Sequence, residues 1–245
     1  MAGNFYETDK ALSEYLLFHY GKPDVRFPKR LTGNFPARCV TETIDRKLVP
    51  RNARALDLGC AVGRSAFELA RFCREVVAID YSSAFVAAAE KIRRRGLIHF
   101  EAAVEGGLKE KLVARAPAGI ERGRVTFEQG DAMSLREDLG EFDVVVAANL
   151  IDRLSEPMRL LERLPGLVAA RGQLVIASPY TWLEEYTPRR NWLGGVRGRT
   201  FDALREVLSP NFRLARRRDL PFLIREHARK FQLGVSEATV WIRKS

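Results

Sequence analysis

The amino-acid sequence reads as an α/β protein. It predicts a seven-stranded, mostly parallel sheet with helices on both faces, an N-terminal helical cap and an inserted segment near residues 96–124. Three observations support this fold class. From residue 54 onward, short β-rich runs alternate with helical patterns, as a parallel sheet with crossover helices requires. The runs are short and bounded by turn residues, which suits strands covered on both faces. A length of 245 residues, 46% of them apolar, can close a sizeable core in a single domain and excludes a disordered chain.

The elements follow in order. Leu12, Tyr15, Leu16 and His19 recur at helical spacing before Gly21-Lys22-Pro23 stops the pattern, and a second helix is expected over about 37–48, ahead of Pro50. Residues 1–50 are therefore expected to form a helical cap on a core spanning 51–245. The core reads as strand 54–58, helix 63–72, strand 75–79 and helix 82–95, then strands 125–127, 142–148 and 174–177, with a helix over about 156–169. The segment 96–124 is long for one connection and carries Gly106-Gly107 and Pro117, so an extra hairpin or lid is expected there. A helix at 201–208 and strands at 212–216 and 238–243 complete the count.

The net charge of +10 favours an acidic partner such as nucleic acid. Against that, the arginines fall in short groups (93–95, 189–190, 216–218) with no interleaved aromatics, which reads as solvated faces rather than a phosphate-tracking groove. Cys39, Cys60 and Cys73 are too few and too irregular for a disulfide framework, and with only three histidines no metal site is expected. No run approaches the roughly 20 apolar residues of a membrane span, and Met1 to Phe5 lack the features of a secretory leader, so a cytoplasmic location is expected.

The strongest motif is Ala55-Leu56-Asp57-Leu58-Gly59-Cys60-Ala61-Val62-Gly63-Arg64, an apolar strand that turns through two glycines into a helix. Gly59 permits the sharp turn, and Gly63 permits close approach of ligand and helix backbone. Such a Rossmann-like turn serves a pyrophosphate in dinucleotide folds, but Asp57 before it would repel one. It suits a ligand carrying an ammonium and a sulfonium, which points to S-adenosylmethionine (SAM). Asp80, followed by Tyr81, ends the second strand about twenty residues on, where a carboxylate grips ribose hydroxyls; it could instead cap the next helix. Asp131-Ala132 follows the third strand, where an acid can accept from the adenine amino group or simply shape a turn. Acids at successive strand ends all lie on the carboxyl edge, where open α/β sheets bind ligands.

The chain further resembles the 4-mercaptohistidine N1-methyltransferase family, which is also the C-terminal methyltransferase domain of ovothiol synthases. The likeness is carried by Glu14-Tyr15-Leu16-Leu17-Phe18-His19-Tyr20-Gly21, by residues 57–69, by Ala148-Asn149-Leu150-Ile151-Asp152-Arg153-Leu154, by Ser178-Pro179-Tyr180-Thr181-Trp182 and by Pro221-Phe222-Leu223-Ile224-Arg225-Glu226. It implies methyl transfer from SAM to the imidazole of 5-thiohistidine, giving ovothiol A. The chain reads as a free-standing version with no sulfoxide synthase domain before it.

Candidate roles follow. Asn149, at the end of the fourth strand, would orient the SAM amino group or the imidazole. Asp152 would accept the imidazole N–H, and Arg153 would fork onto a carboxylate, unless the two form an ordinary ion pair. Tyr180, Trp182 and Tyr186 would wall in a flat ring, or merely pack a loop. Arg225 and Glu226 would hold the carboxylate and ammonium of an amino-acid substrate. Tyr15, His19 and Tyr20 would close over the site, with His19 either a general base or a packed side chain, and Arg38 would reach the SAM carboxylate. Rival readings are a 5-selenohistidine or other small imidazole substrate, an RNA substrate, and a SAM-binding protein without turnover. The Asn149-Leu150-Ile151-Asp152 sequence departs from the Asn/Asp-Pro-Pro-Tyr/Phe box of adenine methylation, which speaks against RNA. A small amino-acid substrate, with neither nucleic acid nor membrane, is the expected partner.

Overall fold

The computed structural model describes residues 5–245; residues 1–4, which belong to the stretch read for a secretory leader, lie outside the described residues. In chain order the helices are α1 (Asp9–Tyr20), α2 (Lys29–Thr32), α3 (Phe35–Thr41), α4 (Arg64–Leu69), α5 (Ser83–Arg95), α6 (Pro157–Arg163) and α7 (Thr200–Leu208). The strands are β1 (Arg54–Leu58), β2 (Glu75–Asp80), β3 (Leu97–Glu105), β4 (Leu108–Arg115), β5 (Val125–Gln129), β6 (Phe142–Ala148), β7 (Val168–Ser178), β8 (Phe212–His227) and β9 (Lys230–Arg243).

Seven strands form one sheet in the order β5-β2-β1-β6-β7-β9-β8. All pairings are parallel except those of β9, which runs antiparallel to both β7 and β8. The strand order reverses between β1 and β6, and at such a switch point a crevice opens beyond the carboxyl ends of the strands.

Strand alternation divides the core in two. Ala55, Val144, Val146 and Val175 pack with Leu16, Phe67, Phe85 and Ile92 on one face. Leu56, Leu58, Val145, Leu174 and Ile176 pack with Leu160, Leu204 and Trp241 on the other. Helices thus cover both faces, which is why β6 is apolar from Val144 to Ala148 and β7 from Leu174 to Ala177.

Several boundaries differ from expectation for local reasons. The helix expected over 37–48 ends at Thr41, and a separate 3-10 turn spans Arg46–Leu48. The interruption is fixed from outside, because the amide of Asp45 donates to the Gln173 side chain at 2.9 Å and Gln173 donates back to the Asp45 carbonyl at 3.0 Å. The helix expected over 156–169 stops at Arg163, shortly before Pro165, which has no N–H to continue it. The segment 96–124 holds the hairpin β3–β4, paired from Leu97↔Arg115 to Glu105↔Leu108.

The largest difference lies at the C-terminus. The short strands expected at 212–216 and 238–243 belong to a ribbon that runs from Phe212↔Arg243 to His227↔Lys230. Only residues 237–242 of β9 pair with β7, so the outer half of the ribbon projects past the sheet's carboxyl edge. There Gly234 lets Phe222 lie flat across the partner strand: a Cβ at Gly234 would sit 2.3 Å from that ring. The hairpin braces this arm through Arg225–Glu110 at 2.6 Å and Ala228 N–H to Val104 C=O at 3.2 Å. It also takes a bond from the Ser13 hydroxyl of α1 to the Glu101 carbonyl. Arm and hairpin together hold α1 over the crevice.

Candidate active site

A cavity of about 510 Å3 fills the crevice, within the usual size range of ligand sites. Its floor is made of strand tips. Gly59 and Ala61 after β1, Asp80 and Tyr81 at the end of β2, Asp131 and Ala132 after β5, and Asn149 after β6 all line it. The backbone is strained at this edge: Ala61 (φ 46°), Asn149 (φ 53°) and Tyr180 (φ 54°) are non-glycine residues held in the left-handed region. Asp80 offsets part of that cost, its Oδ2 accepting the Ala61 N–H at 2.7 Å and its Oδ1 the Ser82 N–H at 2.9 Å. Each oxygen keeps a second lone pair for a ligand hydroxyl. Capping of α5 falls to Ser82, whose hydroxyl accepts from Phe85, and not to Asp80.

Asp57 lies beneath the floor and does not line the cavity, whereas Ser65, whose hydroxyl donates to it at 2.6 Å, does. Burial pushes the Asp57 carboxyl up to about 7, against the Ser65 bond that lowers it, and the nearby Asp80 adds to the rise. Burial raises Asp80 as well. Among the described residues neither acid has an ion-pair partner, so this floor is short of one positive charge, and a cationic ligand answers that deficit. Asp131 accepts the Met133 N–H at 2.8 Å through Oδ1, a turn contact that leaves Oδ2 for a ligand donor. Asn149 Oδ1 accepts the Ser236 hydroxyl at 2.6 Å, which orients the amide with its NH2 available to donate.

The opposite wall is aromatic: Tyr6, Tyr15, Phe18, Phe35, Phe85 and Tyr186 line it together with His19. Tyr15 and Phe85 lie 4.7 Å apart centroid to centroid, and Tyr6 meets Tyr186 at 6.0 Å. One cation is set among them. Arg153 Nη1 donates to Asp152 Oδ2 at 2.9 Å and to the Thr181 carbonyl at 2.8 Å, with the guanidinium carbon 5.0 Å over the Tyr186 ring.

Other expected roles are overturned by what these side chains touch. Asp152 is a buried bracket and does not reach the cavity, because Ser178 Oγ, the Thr181 N–H and Arg153 use its oxygens. Tyr180 donates to Glu237 at 2.9 Å and Trp182 to Thr200 at 2.9 Å, so these rings pin the loop after β7 and only Tyr186 joins the wall. Tyr20 donates to the Val62 carbonyl at 2.7 Å, latching α1 to the glycine turn outside the cavity. Arg38 spends Nε on Glu42 and Nη1 on the carbonyls of Arg30 and Pro221, and it does not line the cavity. Arg225 pairs with Glu110 and Glu226 with Lys230; on this strand it is Ile224 that lines the cavity. Cys60 is buried off the cavity. Gly63 answers a neighbour rather than a ligand: its φ is 87°, and a Cβ there would sit 2.5 Å from the Phe127 ring.

His19 lines the cavity, yet burial, reinforced by Arg64, pushes its pKa down to about 3. It is therefore neutral and too weak to act as a general base near neutral pH. Its Nδ1 accepts the Arg64 N–H at 3.4 Å, which places the ring hydrogen on Nε2 as a donor. Sequence reasoning missed Tyr6, Phe35, Phe85 and Met133, which line the cavity with no local motif around them, and Phe18, which lies in a block that carries the family likeness but has no role assigned to it. Among the described residues no group of three or more His, Cys, Asp or Glu could hold a metal ion, and no helix is long and apolar enough to cross a membrane.

Residues 56–176 match the methyltransferase domain family, a stretch that runs from within β1 into β7 and includes Asp57, Asp80 and Asp131. No curated protein matches the sequence. Among solved structures the chain is similar to the [4+2]-cyclase SpnF, at 16% identity and a TM-score of 0.60 over 96% of this chain and 93% of that one. It is similar to a SAM-dependent methyltransferase from Methanosarcina mazei, at 17% identity and a TM-score of 0.54 over 81% and 95%. It is also similar to the N-methyltransferase NodS from Bradyrhizobium japonicum WM9 in complex with S-adenosyl-L-homocysteine, at 15% identity and a TM-score of 0.50 over 79% of each chain. At these identities the likeness establishes a shared fold, and fold alone does not choose a substrate.

Proposed function

We propose that this chain, a SAM-dependent methyltransferase, methylates an imidazole nitrogen of 5-thiohistidine to give ovothiol A. One observation carries the reading: blocks far apart in sequence that share the thiohistidine-family likeness supply one cavity, with Tyr15, Phe18 and His19 from the first, Gly59 and Ser65 from the second, Asn149 and Arg153 from the third and Ile224 from the last. An aromatic enclosure with a single arginine suits a flat ring on a short chain ending in a carboxylate.

SAM, when bound, supplies a methyl group already activated by its sulfonium. What remains for the protein is positioning and the choice of nucleophile. In this reading Asp57 and Asp80 supply negative charge beneath the cofactor, Asp80 holds its ribose and Asp131 its adenine amino group, and Arg153 takes the substrate carboxylate. The sulfur of 5-thiohistidine is a better nucleophile than its nitrogens, so the thiolate must be held away from the methyl. The Nε2–H of neutral His19 is suited to that, since it can donate to a thiolate without giving up a proton. The ring nitrogen that reacts needs no general base while its lone pair is free.

The decisive measurement is mass spectrometry after incubating the protein with SAM and, separately, 5-thiohistidine, histidine, 5-selenohistidine and tRNA. A gain of one CH2 on 5-thiohistidine, fragmenting as an N-methyl ring, is the expected result. Histidine alone reacting, or tRNA alone, would remove the proposal.

A further inference from the structure

The lining of the cavity holds three acids, Asp80, Asp131 and Glu185, and a single Lys or Arg, which is Arg153. An anionic group on a ligand therefore has one place to go. How Arg153 is held then decides what shape of anion it can take. Asp152 and Arg153 are neighbours in the 3-10 turn Ile151–Arg153 that follows β6, yet they face different ways. Arg153 lines the cavity, whereas Asp152 is buried off it at 1% exposure. Nη1 of Arg153 meets three acceptors: the Asp152 carbonyl at 2.8 Å, Asp152 Oδ2 at 2.9 Å and the Thr181 carbonyl at 2.8 Å.

Asp152 is itself fixed. Its Oδ1 accepts the Ser178 hydroxyl at 2.9 Å and its Oδ2 the Thr181 N–H at 3.2 Å, while Ser178 Oγ accepts the Tyr180 N–H at 3.0 Å. The carboxylate thus ties the loop after β6 to the loop after β7. The Tyr186 ring lies against the guanidinium, 5.0 Å from its carbon. Anchored at one nitrogen and stacked on one face, the guanidinium keeps for a ligand the edge formed by Nε and Nη2. The Tyr6 hydroxyl, also in the lining, hydrogen-bonds the same guanidinium. Two parallel N–H groups on such an edge match a planar carboxylate, which an unoriented charge does not. On charge alone, a buried carboxylate beside Arg153 would weaken its pull on an anion. Orientation works the other way, so the two effects predict opposite signs when Asp152 is neutralised.

We infer that Asp152 is a positioning residue: with Ser178 it fixes the Arg153 guanidinium so that the Nε–Nη2 edge takes a carboxylate side-on. This makes the cavity selective for a flat heteroaromatic ring carrying a carboxylate on a short chain over the same ring without one. The inference rests on the proposed function in one respect, the choice of Arg153 as partner of the substrate's carboxylate.

The probes are imidazole-4-propionate and 4-propylimidazole, which differ by the carboxylate, titrated by calorimetry into the full chain saturated with S-adenosylhomocysteine. The native protein is expected to bind the acid about tenfold or more tighter, since a charge-assisted fork is lost without the carboxylate. Asp152→Asn should cut that preference to about threefold or less by weakening the acid, with 4-propylimidazole and S-adenosylhomocysteine kept within about twofold of their native affinities. Ser178→Ala leaves every charge in place and should move the preference the same way by a smaller factor; it carries the test if Asp152→Asn fails to fold. Arg153→Lys, which keeps the charge and loses the fork, should also lose most of the preference. Tighter acid binding in Asp152→Asn would show charge at work and not orientation. Equal weakening of acid and 4-propylimidazole would make Asp152 merely structural, and a fall confined to S-adenosylhomocysteine would assign Arg153 to the cofactor. Each of these results, or an unchanged preference in all three variants, overturns the inference. Because the probes carry no sulfur, an intact preference without methylation of 5-thiohistidine would remove the proposed function alone, and methylation without the preference would remove this inference alone.

Discussion

The two sides of the cavity are made by different means. The acidic floor comes from the tips of neighbouring parallel strands, and its key contacts join one tip to the next, such as the Ala61 N–H donating to the Asp80 carboxylate. The aromatic wall is assembled from α1, the residues before it, the start of α3, α5 and the loop after β7, which lie far apart in sequence. A parallel sheet places every strand tip at one edge, so the floor follows once the strands form. The wall exists only after the outer β8–β9 arm and the β3–β4 hairpin have pressed α1 into place. The floor should therefore respond to mutation as a binding surface, and the wall's outlying rings as packing.

The largest test is Trp182→Ala. As a pin at 9% exposure rather than a wall residue, Trp182 should cost about 3–5 kcal/mol on truncation, a fall in melting temperature of about 10 °C for a chain of this size. Turnover below that transition should be largely kept. Tyr186→Ala should do the opposite, with a small thermal loss and a raised KM for the imidazole substrate. If Trp182→Ala leaves the melting curve unmoved and abolishes turnover, the division between pin and wall is wrong.

Asp80→Ala comes next. Losing bonds from a charged acceptor to the ribose and to the Ala61 amide should weaken SAM about 100-fold by calorimetry. A change below about threefold would remove Asp80 from the cofactor floor. His19→Phe keeps the packing but loses the Nε2–H, and it should move the product from N-methyl toward S-methyl by about tenfold, as read from fragment ions. An unchanged product ratio would leave chemoselectivity to the aromatic rings.

The smallest effect is a pH dependence with a definite sign. Asp57 titrates near 7 in the folded protein against an ordinary 3.8. The folded state therefore binds the proton more tightly, and stability without ligand should fall as pH rises between these values. SAM affinity should show the reverse trend, weakening by at most about tenfold per unit as pH drops below 7 and levelling off above it. Asp57→Asn should flatten both profiles and raise the melting temperature at pH 8, because it removes an uncompensated buried charge. A SAM affinity that is flat from pH 5 to 8 in the native protein would show that Asp57 does not sense the cofactor's charge.

Much of the floor was legible because its information is local. A strand ending in Asp57, two glycines, and acids ending the next strands can be read from spacing, and those residues do gather at one edge. The wall was legible only in part. Tyr15, His19 and Arg153 could be named from their blocks and Tyr186 from its place after the fifth core strand, whereas Tyr6, Phe35 and Phe85 look like ordinary packing residues in sequence. Tyr180 and Trp182 looked like a wall because they are aromatic, yet their polar ends had found Glu237 and Thr200. The long terminal ribbon escaped notice because its outer half mixes arginines with apolar residues, a pattern that strand pairing explains only after the partner strand is known.

The sequence by itself determined the α/β sheet, the acids at its strand tips and hence the cationic nucleoside cofactor, since strand period and turn chemistry act over a few residues. Only the tertiary structure decided which aromatic rings meet the cavity, that His19 is held neutral, and that Asp152 is a bracket. Those outcomes depend on burial and on partners brought from elsewhere in the chain, and no spacing within a segment encodes them.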